Sequence, residues 1–225
     1  MKKDWETGSV RVSLFLNYTY VTFCDDVNLQ CNSRVHALDR EIAKNKPEWV
    51  VETVPSYNTL AIVLDKEKLR DKEEEAIQLI RHLATVSDSG VKEGREVREL
   101  HVRYGGEYGP DLKEVAREKG LTEDEVIEIH TSRVYTCYML GFTPGFVYLG
   151  DVDERIQVER LKTPRTSVKG GSVGLAGKQT GFYGVDSPGG WRIIGRLVES
   201  TFDINRNPPS LVRPGDGVRF VRAIG

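Results

Sequence analysis

The chain has 225 residues, 39% hydrophobic and 29% charged, a balance that supports a buried core and excludes a disordered polymer. Its net charge is -2 with the basic residues scattered, so no positive field invites nucleic acid. No apolar run approaches the ~20 residues that cross a bilayer, and the start, Met-Lys-Lys-Asp-Trp-Glu, lacks the apolar core of a signal peptide. The expectation is a cytoplasmic protein with neither nucleic acid nor membrane as partner.

The length accommodates one large domain or two small ones. Val10, Val12, Leu14 and Leu16 alternate at period two, and the β-type run continues to Phe23, with a turn near Leu16-Asn17 making a hairpin. Asp25 or Asp26 is placed to cap a helix whose apolar stripe is Cys31, Val35, Leu38 and Ile42 and which Pro47 ends. Two strands, Trp49–Val54 and Thr59–Leu64, precede a second amphipathic helix over 71–86. Its face is Ala76, Ile77, Ile80, Leu83 and Ala84, and Glu73, Glu74 and Glu75 suit its N-terminal dipole. The order predicts a small two-layer α+β domain over residues 1–90. Ser87–Gly94 is polar and glycine-containing, a boundary signal.

The second domain, 95–225, opens with a strand over Val97–Arg103 and a glycine-rich turn, Tyr104 to Leu112. Pro110 and Asp111 start a helix that Gly120 ends. Thr122-Glu123-Asp124-Glu125 is a capping box for a shorter helix reaching His130, which reads as a helix-end residue charged toward the C-terminus. Twelve of the 22 glycines fall between Gly141 and Gly195, interleaved with short β-type runs such as Phe146–Leu149 and Trp191–Ile194. Glycine at this density marks tight corners or close backbone approach. It reads equally as a tightly curved barrel and as a groove. Arg213-Pro214-Gly215-Asp216-Gly217 is a turn before a closing strand, Val218–Ile224.

Cys24, Cys31 and Cys137 are odd in number and scattered, which argues against a disulfide framework and a zinc site, and the four histidines are not at metal-ligand spacing. Cys137 lies in an apolar run and reads as a small buried hydrophobe. No P-loop, dinucleotide fingerprint or Gly-x-Ser-x-Gly motif is present.

The remaining candidates are polar residues among the glycines. Glu107 and Asp111, four apart, form either an acid/base or metal-nucleotide pair or a helix-start anion pair serving the dipole. Arg165 either clamps a carboxylate or phosphate or makes an intramolecular ion pair. Gln179-Thr180 could donate to a ligand. Ser187-Pro188-Gly189-Gly190-Trp191 either presents backbone N–H groups beside an indole or is a tight turn with the indole packed inward.

The runs YGGEYGPDL, LGFTPGFVYLG, TPR, GSVGLAGKQTG, SPGGWRIIGR and RPGDGVRF resemble the KipI family, which includes the B subunit of 5-oxoprolinase and is also called allophanate hydrolase subunit 1. The chain is also similar to one half of the carboxyltransferase domain of urea carboxylase. The resemblance implies an N-terminal α+β domain followed by a cyclophilin-like β-barrel. It implies the ATP-dependent opening of the cyclic amide 5-oxoproline to glutamate, with Mg-ATP and two partner chains, one KipA-like and one LamB/YcsF-like. Inhibition of a sensor histidine kinase, or a part in allophanate or urea processing, are the alternatives. Family motif positions fall on Glu107, Gly109, Asp111, Gly145, Phe146, Arg165, Gln179, Thr180, Ser187, Pro188, Gly189, Gly190, Trp191 and Arg196. This chain departs where the family has Val-Pro-Ala-Gly-Ser-Val, reading Val168 to Val173 as VKGGSV, and where a usual Pro-Arg reads Glu159-Arg160. The resemblance assigns these positions no individual roles; for the 5-oxoprolinase reaction, Glu107 and Asp111 are the expected holders of Mg-ATP and Arg165 the expected cation for the substrate carboxylate.

Overall fold

The computed structural model describes residues 3–7, 10–45, 47–86 and 96–224. Its chain divides into two compact units, Met1–Gly94 and Arg95–Gly225. The expected boundary at Ser87–Gly94 lies outside the described residues.

The first unit contains the strands β1 (Lys3–Thr7), β2 (Val10–Phe15), β3 (Tyr18–Thr22), β4 (Val50–Pro55) and β5 (Thr59–Leu64). They form one antiparallel sheet in the order β1-β2-β3-β5-β4. Leu16 takes a left-handed φ of 56° in the two-residue hairpin turn expected at Leu16-Asn17, and it is exposed, so the period-two burial ends at Leu14. The strand β1 was not foreseen in the sequence. Helix α1 (Leu29–Asn45) buries Cys31, Val35, Leu38 and Ile42 against the sheet. After a single turn, α2 (Lys66–Leu69), helix α3 (Glu73–Val86) buries Ala76, Ile77, Ile80, Leu83 and Ala84. The two apolar stripes are those the 3.6-residue period predicts.

Two expectations fail in this unit. Neither Asp25 nor Asp26 caps α1; the Asn28 side chain accepts from the Cys31 backbone N–H at 2.9 Å, while Asp25 pairs with Arg11. Cys24 and Cys31 form a disulfide, with Cα atoms 6.2 Å apart. The parity argument missed it because the bridge is local, tying the segment after β3 to the first turn of α1, and the odd cysteine is simply Cys137, buried in the other unit.

The second unit is built on the strands β6 (Val97–Tyr104), β7 (Val134–Leu140), β8 (Val147–Gly150), β10 (Ser172–Ala176), β11 (Gln179–Phe182), β13 (Arg192–Leu197) and β14 (Gly217–Arg222). They close a barrel with the circular order β10-β11-β8-β7-β14-β6-β13. A two-stranded ribbon, β9 (Arg165–Val168) with β12 (Ser187–Gly189), lies outside the barrel ladder. All barrel neighbours are antiparallel except β14 and β6, which run parallel from Gly217↔Val97 to Arg222↔Val102. Leu100, Val102, Tyr135, Leu149, Val173, Leu175, Phe182, Ile194 and Phe220 fill the interior. Helices α4 (Leu112–Lys119) and α5 (Glu123–Thr131) add Val115, Val126 and Ile129 to the same core. Gly120 ends α4 at φ 67°, and Thr122 and Glu125 make the reciprocal capping box.

Candidate functional site

The barrel core faces inward, and a second apolar cluster gathers around the ribbon: Phe146, Val168, Ala176, Tyr183, Trp191 and Ile193. Glycines in the barrel wall make room for it. A Cβ on Gly174 would lie 3.0 Å from the Trp191 Cβ, and one on Gly181 would lie 3.2 Å from the indole ring. The bare backbone of β10 and β11 is therefore a flat bed on which Trp191 lies, 5% exposed. Phe146 meets Trp191 edge-on at 5.3 Å and Tyr183 at 4.8 Å, and Tyr148 packs on Phe146 at 4.6 Å.

These rings wall a pocket of about 290 Å³, completed by Phe142, Arg160, Pro164, Pro188, Gly189 and Gly190. The Arg160 guanidinium lies over Trp191 at 5.9 Å. Gly189 cannot carry a side chain here, because a Cβ would overlap the Tyr183 hydroxyl. Burial raises the pKa of Tyr183, partly offset by a hydrogen bond from the Trp191 backbone and by Arg160 and Arg165. Burial likewise raises that of Tyr148. Both phenols therefore stay protonated at neutral pH. A second cavity of about 340 Å³, lined by Leu14, Leu16, Lys66, Leu69, Arg70, Asp71 and Glu73, lies in the first unit and touches none of the candidate site residues.

Beside the pocket, the turn after β6 lies along β13. Gly105 donates to the Ile194 carbonyl at 3.0 Å and Asp111 to the Ile193 carbonyl at 2.9 Å. Gly109 is glycine because a Cβ would run into the Ile194 carbonyl. This arrangement buries Asp111, whose carboxylate accepts from the Ile193 N–H at 2.6 Å and from Arg165 Nη2 at 2.7 Å. Asp111 stands at the N-cap of α4 but makes no side-chain cap bond. Neither sequence reading of the Glu107/Asp111 pair describes this: Asp111 is a tether for a strand and an arginine. Glu107 is exposed in the turn. With both oxygens of Asp111 engaged and no group of three or more His, Cys, Asp or Glu converging among the described residues, these two do not fit a magnesium site.

Arg165 realises the ion-pair reading in part. Nη2 holds Asp111, while Nη1 is shielded from solvent with no hydrogen-bond partner. Ser187 Oγ, across the ribbon from Val168, is likewise buried and unpartnered. Orphaned buried donors of this kind are costly unless a ligand or water satisfies them.

Thr180 points away from this surface. Its hydroxyl lies in the barrel interior, donating to the Gly174 carbonyl at 3.0 Å and meeting His130 Nε2 at 2.8 Å. It cannot serve as a ligand donor, because alternation along β11 sends Thr180 and Phe182 inward and leaves Gln179 and Gly181 outward. His130 also departs from expectation. It is fully buried, stacked 4.7 Å from Phe220, and burial lowers its pKa to about 3, so it is neutral rather than charged. Tyr104 O–H donates to Nδ1 at 2.7 Å, and Nε2–H then donates to Thr180. Arg196 lies on β13 between Ser172 and Arg103, apart from the pocket lining. Gly190 lines the pocket, with its carbonyl accepting from Leu161 N at 2.7 Å. The sequence reading missed Tyr148, Arg160 and Phe142 as pocket residues. Tyr148 is two residues from Phe146, a same-side spacing in a strand that carried the signal.

The family profile described as carboxyltransferase domain, subdomain C and D, matches residues 14–212. The chain belongs to that family. It is 38% identical over 211 residues to the B subunit of 5-oxoprolinase from Bacillus subtilis strain 168, covering 90% of this chain and 88% of the relative. It is 43% identical over 175 residues to the B subunit of 5-oxoprolinase from Escherichia coli O157:H7, covering 76% and 78%. Among solved structures, the protein TTHA0988 superposes with a TM-score of 0.82 at 36% identity over 92% of this chain, which spans 40% of that longer one. The urea amidolyase of K. lactis shares the fold at 16% identity, with a TM-score of 0.72 over 97% of this chain and 15% of its own. The α+β architecture with a cyclophilin-like barrel is thus the fold of this subdomain family. Among the described residues no helix is long and apolar enough to cross a membrane.

Proposed function

We propose that this chain is the B subunit of an ATP-dependent 5-oxoprolinase, binding 5-oxoproline while a KipA-like and a LamB/YcsF-like partner chain complete the reaction to glutamate. The observation that carries the reading is the aromatic pocket with guanidinium groups at its edge. A five-membered lactam is small, flat and mostly apolar on its two faces, which suits walls of Phe146, Tyr148 and Trp191. Its carboxylate needs a cation, and Arg160 at the rim and the unpartnered Nη1 of Arg165 beside it offer two. The names of the relatives support the same substrate.

Opening the lactam needs water to attack its carbonyl carbon before the C–N bond breaks, which puts negative charge on the exocyclic carbonyl oxygen, and donors aimed at that oxygen lower the barrier. Ser187 Oγ and the neutral phenols of Tyr148 and Tyr183 are the donors this chain supplies near the pocket. ATP, when bound, supplies the phosphoryl group. Glu107 and Asp111 do not fit its magnesium, so no step is derived through a metal on them.

The test is a reconstitution of this chain with its purified KipA-like and LamB/YcsF-like partners, 5-oxoproline and ATP, following glutamate. Glutamate should require this chain and fall at least tenfold with Arg165→Met. Equal glutamate formation without the chain rejects the reading.

A further inference from the structure

The face of the barrel formed by β6 and β13 carries an arrangement that neither the pocket nor the fold requires. Arg103 and Arg196 are direct cross-strand partners. Like charges in that register repel unless something neutralises them. Among the described residues neither guanidinium is paired with a carboxylate. Both lie against the Tyr108 ring instead, Arg103 at 5.4 Å and Arg196 at 5.5 Å from its centre. Arg103 Nη1 donates to the Tyr108 hydroxyl at 3.2 Å, which leaves the hydroxyl proton free to donate. Arg196 Nε is shielded from solvent and has no hydrogen-bond partner.

The acidic groups nearby do not supply the missing counter-charge. Asp186 is held by Lys169 Nζ at 2.7 Å and by the Gly170 N–H at 2.8 Å; these bonds lower its pKa first, with Arg196 adding a smaller pull from further off. Glu107, next to Tyr108, is exposed and points to no guanidinium within ion-pair distance. Two planar forks, one tyrosine hydroxyl and a solvent-shielded Nε thus converge with no anion among them.

We infer that Arg103, Arg196 and Tyr108 form a binding site for a doubly charged phosphate-type oxyanion. Two guanidiniums match a dianion with several acceptor oxygens better than a single carboxylate. The site is distinct from the aromatic pocket: Arg196 is three residues along β13 from Ile193, which packs with Trp191, a separation of roughly 10 Å at ~3.3 Å per residue. The site rests on the arginine pair alone. Only the source of the phosphate, ATP, rests on the functional reading above.

The experiment is calorimetric titration of the purified full-length chain, without its partner chains or 5-oxoproline, using inorganic phosphate, triphosphate, ATP and glutarate. Phosphate and its esters should bind, glutarate at least tenfold more weakly, and Arg103→Met and Arg196→Met should each weaken phosphate at least tenfold. Arg219→Met, a surface arginine paired with Glu99, should leave it unchanged. Tyr108→Phe, which keeps the ring and removes only the hydroxyl, should weaken it severalfold and guards against misfolding of the arginine variants. ATP binding more tightly than triphosphate identifies a nucleotide as the ligand. Equal binding identifies the phosphate chain itself. The inference is overturned if the wild-type chain binds none of the phosphates, if glutarate binds as tightly, or if both methionine variants bind as wild type. None of these results depends on glutamate formation, so this site and the lactam reading can fail separately.

Discussion

Arg165 and Asp111, 54 residues apart in sequence, meet at 2.7 Å, and the same carboxylate pins the Ile193 N–H of β13. The arginine beside the pocket is therefore set in place by the turn before α4; under the proposed function, ligand binding and local stability share one carboxylate.

The two partners are expected to separate these roles. Asp111→Ala removes a buried acceptor from both a charge and a strand N–H, and should lower stability by about 2–4 kcal/mol. Arg165→Met removes a partly exposed partner and should cost less, about 1–2 kcal/mol, while raising KM for 5-oxoproline sharply. Urea unfolding alongside steady-state kinetics of the assembled enzyme reads both. Equal stability losses in the two variants contradict the arrangement.

Gly189→Ala should damage the pocket through Tyr183. The added methyl overlaps the phenol, and forcing an extra carbon into such a contact costs about 1–3 kcal/mol. Adding Tyr183→Phe removes the nearest atom and should recover part of the lost stability, a partial rescue visible in thermal melts. Rescue of Gly189→Ala by Tyr148→Phe instead would place the clash elsewhere.

His130 makes the barrel unit acid-sensitive. Its folded pKa of about 3 lies below the ordinary histidine value, so below about pH 6.5 the unfolded chain takes up a proton that the folded chain refuses. Stability from this residue is flat at neutral and higher pH and falls as pH drops from about 6.5 toward 3, by at most about 1.4 kcal/mol per pH unit. Chemical unfolding across that window should show a shallower slope in His130→Asn than in wild type. Identical slopes would remove His130 as the cause.

The cysteines can be counted directly. With Cys24 and Cys31 bridged, and Cys137 buried with its thiol pKa raised by that burial, the native chain should show no fast-reacting thiol. The denatured chain should show one, and the denatured and reduced chain three. Three thiols before reduction contradict the bridge.

What the sequence made legible was local. The capping box at Thr122 and Glu125, the terminal glycine at Gly120 and the stripes of α1 and α3 each involve residues within a few turns, where period and capping chemistry decide the outcome. The density of glycine also pointed to the right surface, since Gly174, Gly181 and Gly189 make the bed and mouth of the pocket. Partners across the barrel stayed hidden. Nothing near Asp111 announces Ile193 or Arg165, and Thr180 looks like any polar residue among glycines until the barrel closes and turns it toward His130. The asparagine cap of α1 was missed because two aspartates stand just ahead of it and have the same chemistry.

The parallel pairing of β14 with β6 has a consequence for how the molecule is made. The stave that shuts the barrel lies 120 residues downstream of the one it joins, and it also completes the ladder to β7. Long-range parallel closure of this kind is slow, because loop entropy is spent before any contact compensates it. Until Gly217–Arg222 arrives, the nascent chain holds two unsatisfied strand edges, which other copies emerging from the same message can pair with. A chain stopped after Trp191 but before Gly217 would keep the pocket's residues and still be a substrate for aggregation and proteolysis, so such truncations should be found in inclusion bodies rather than in assembled complexes.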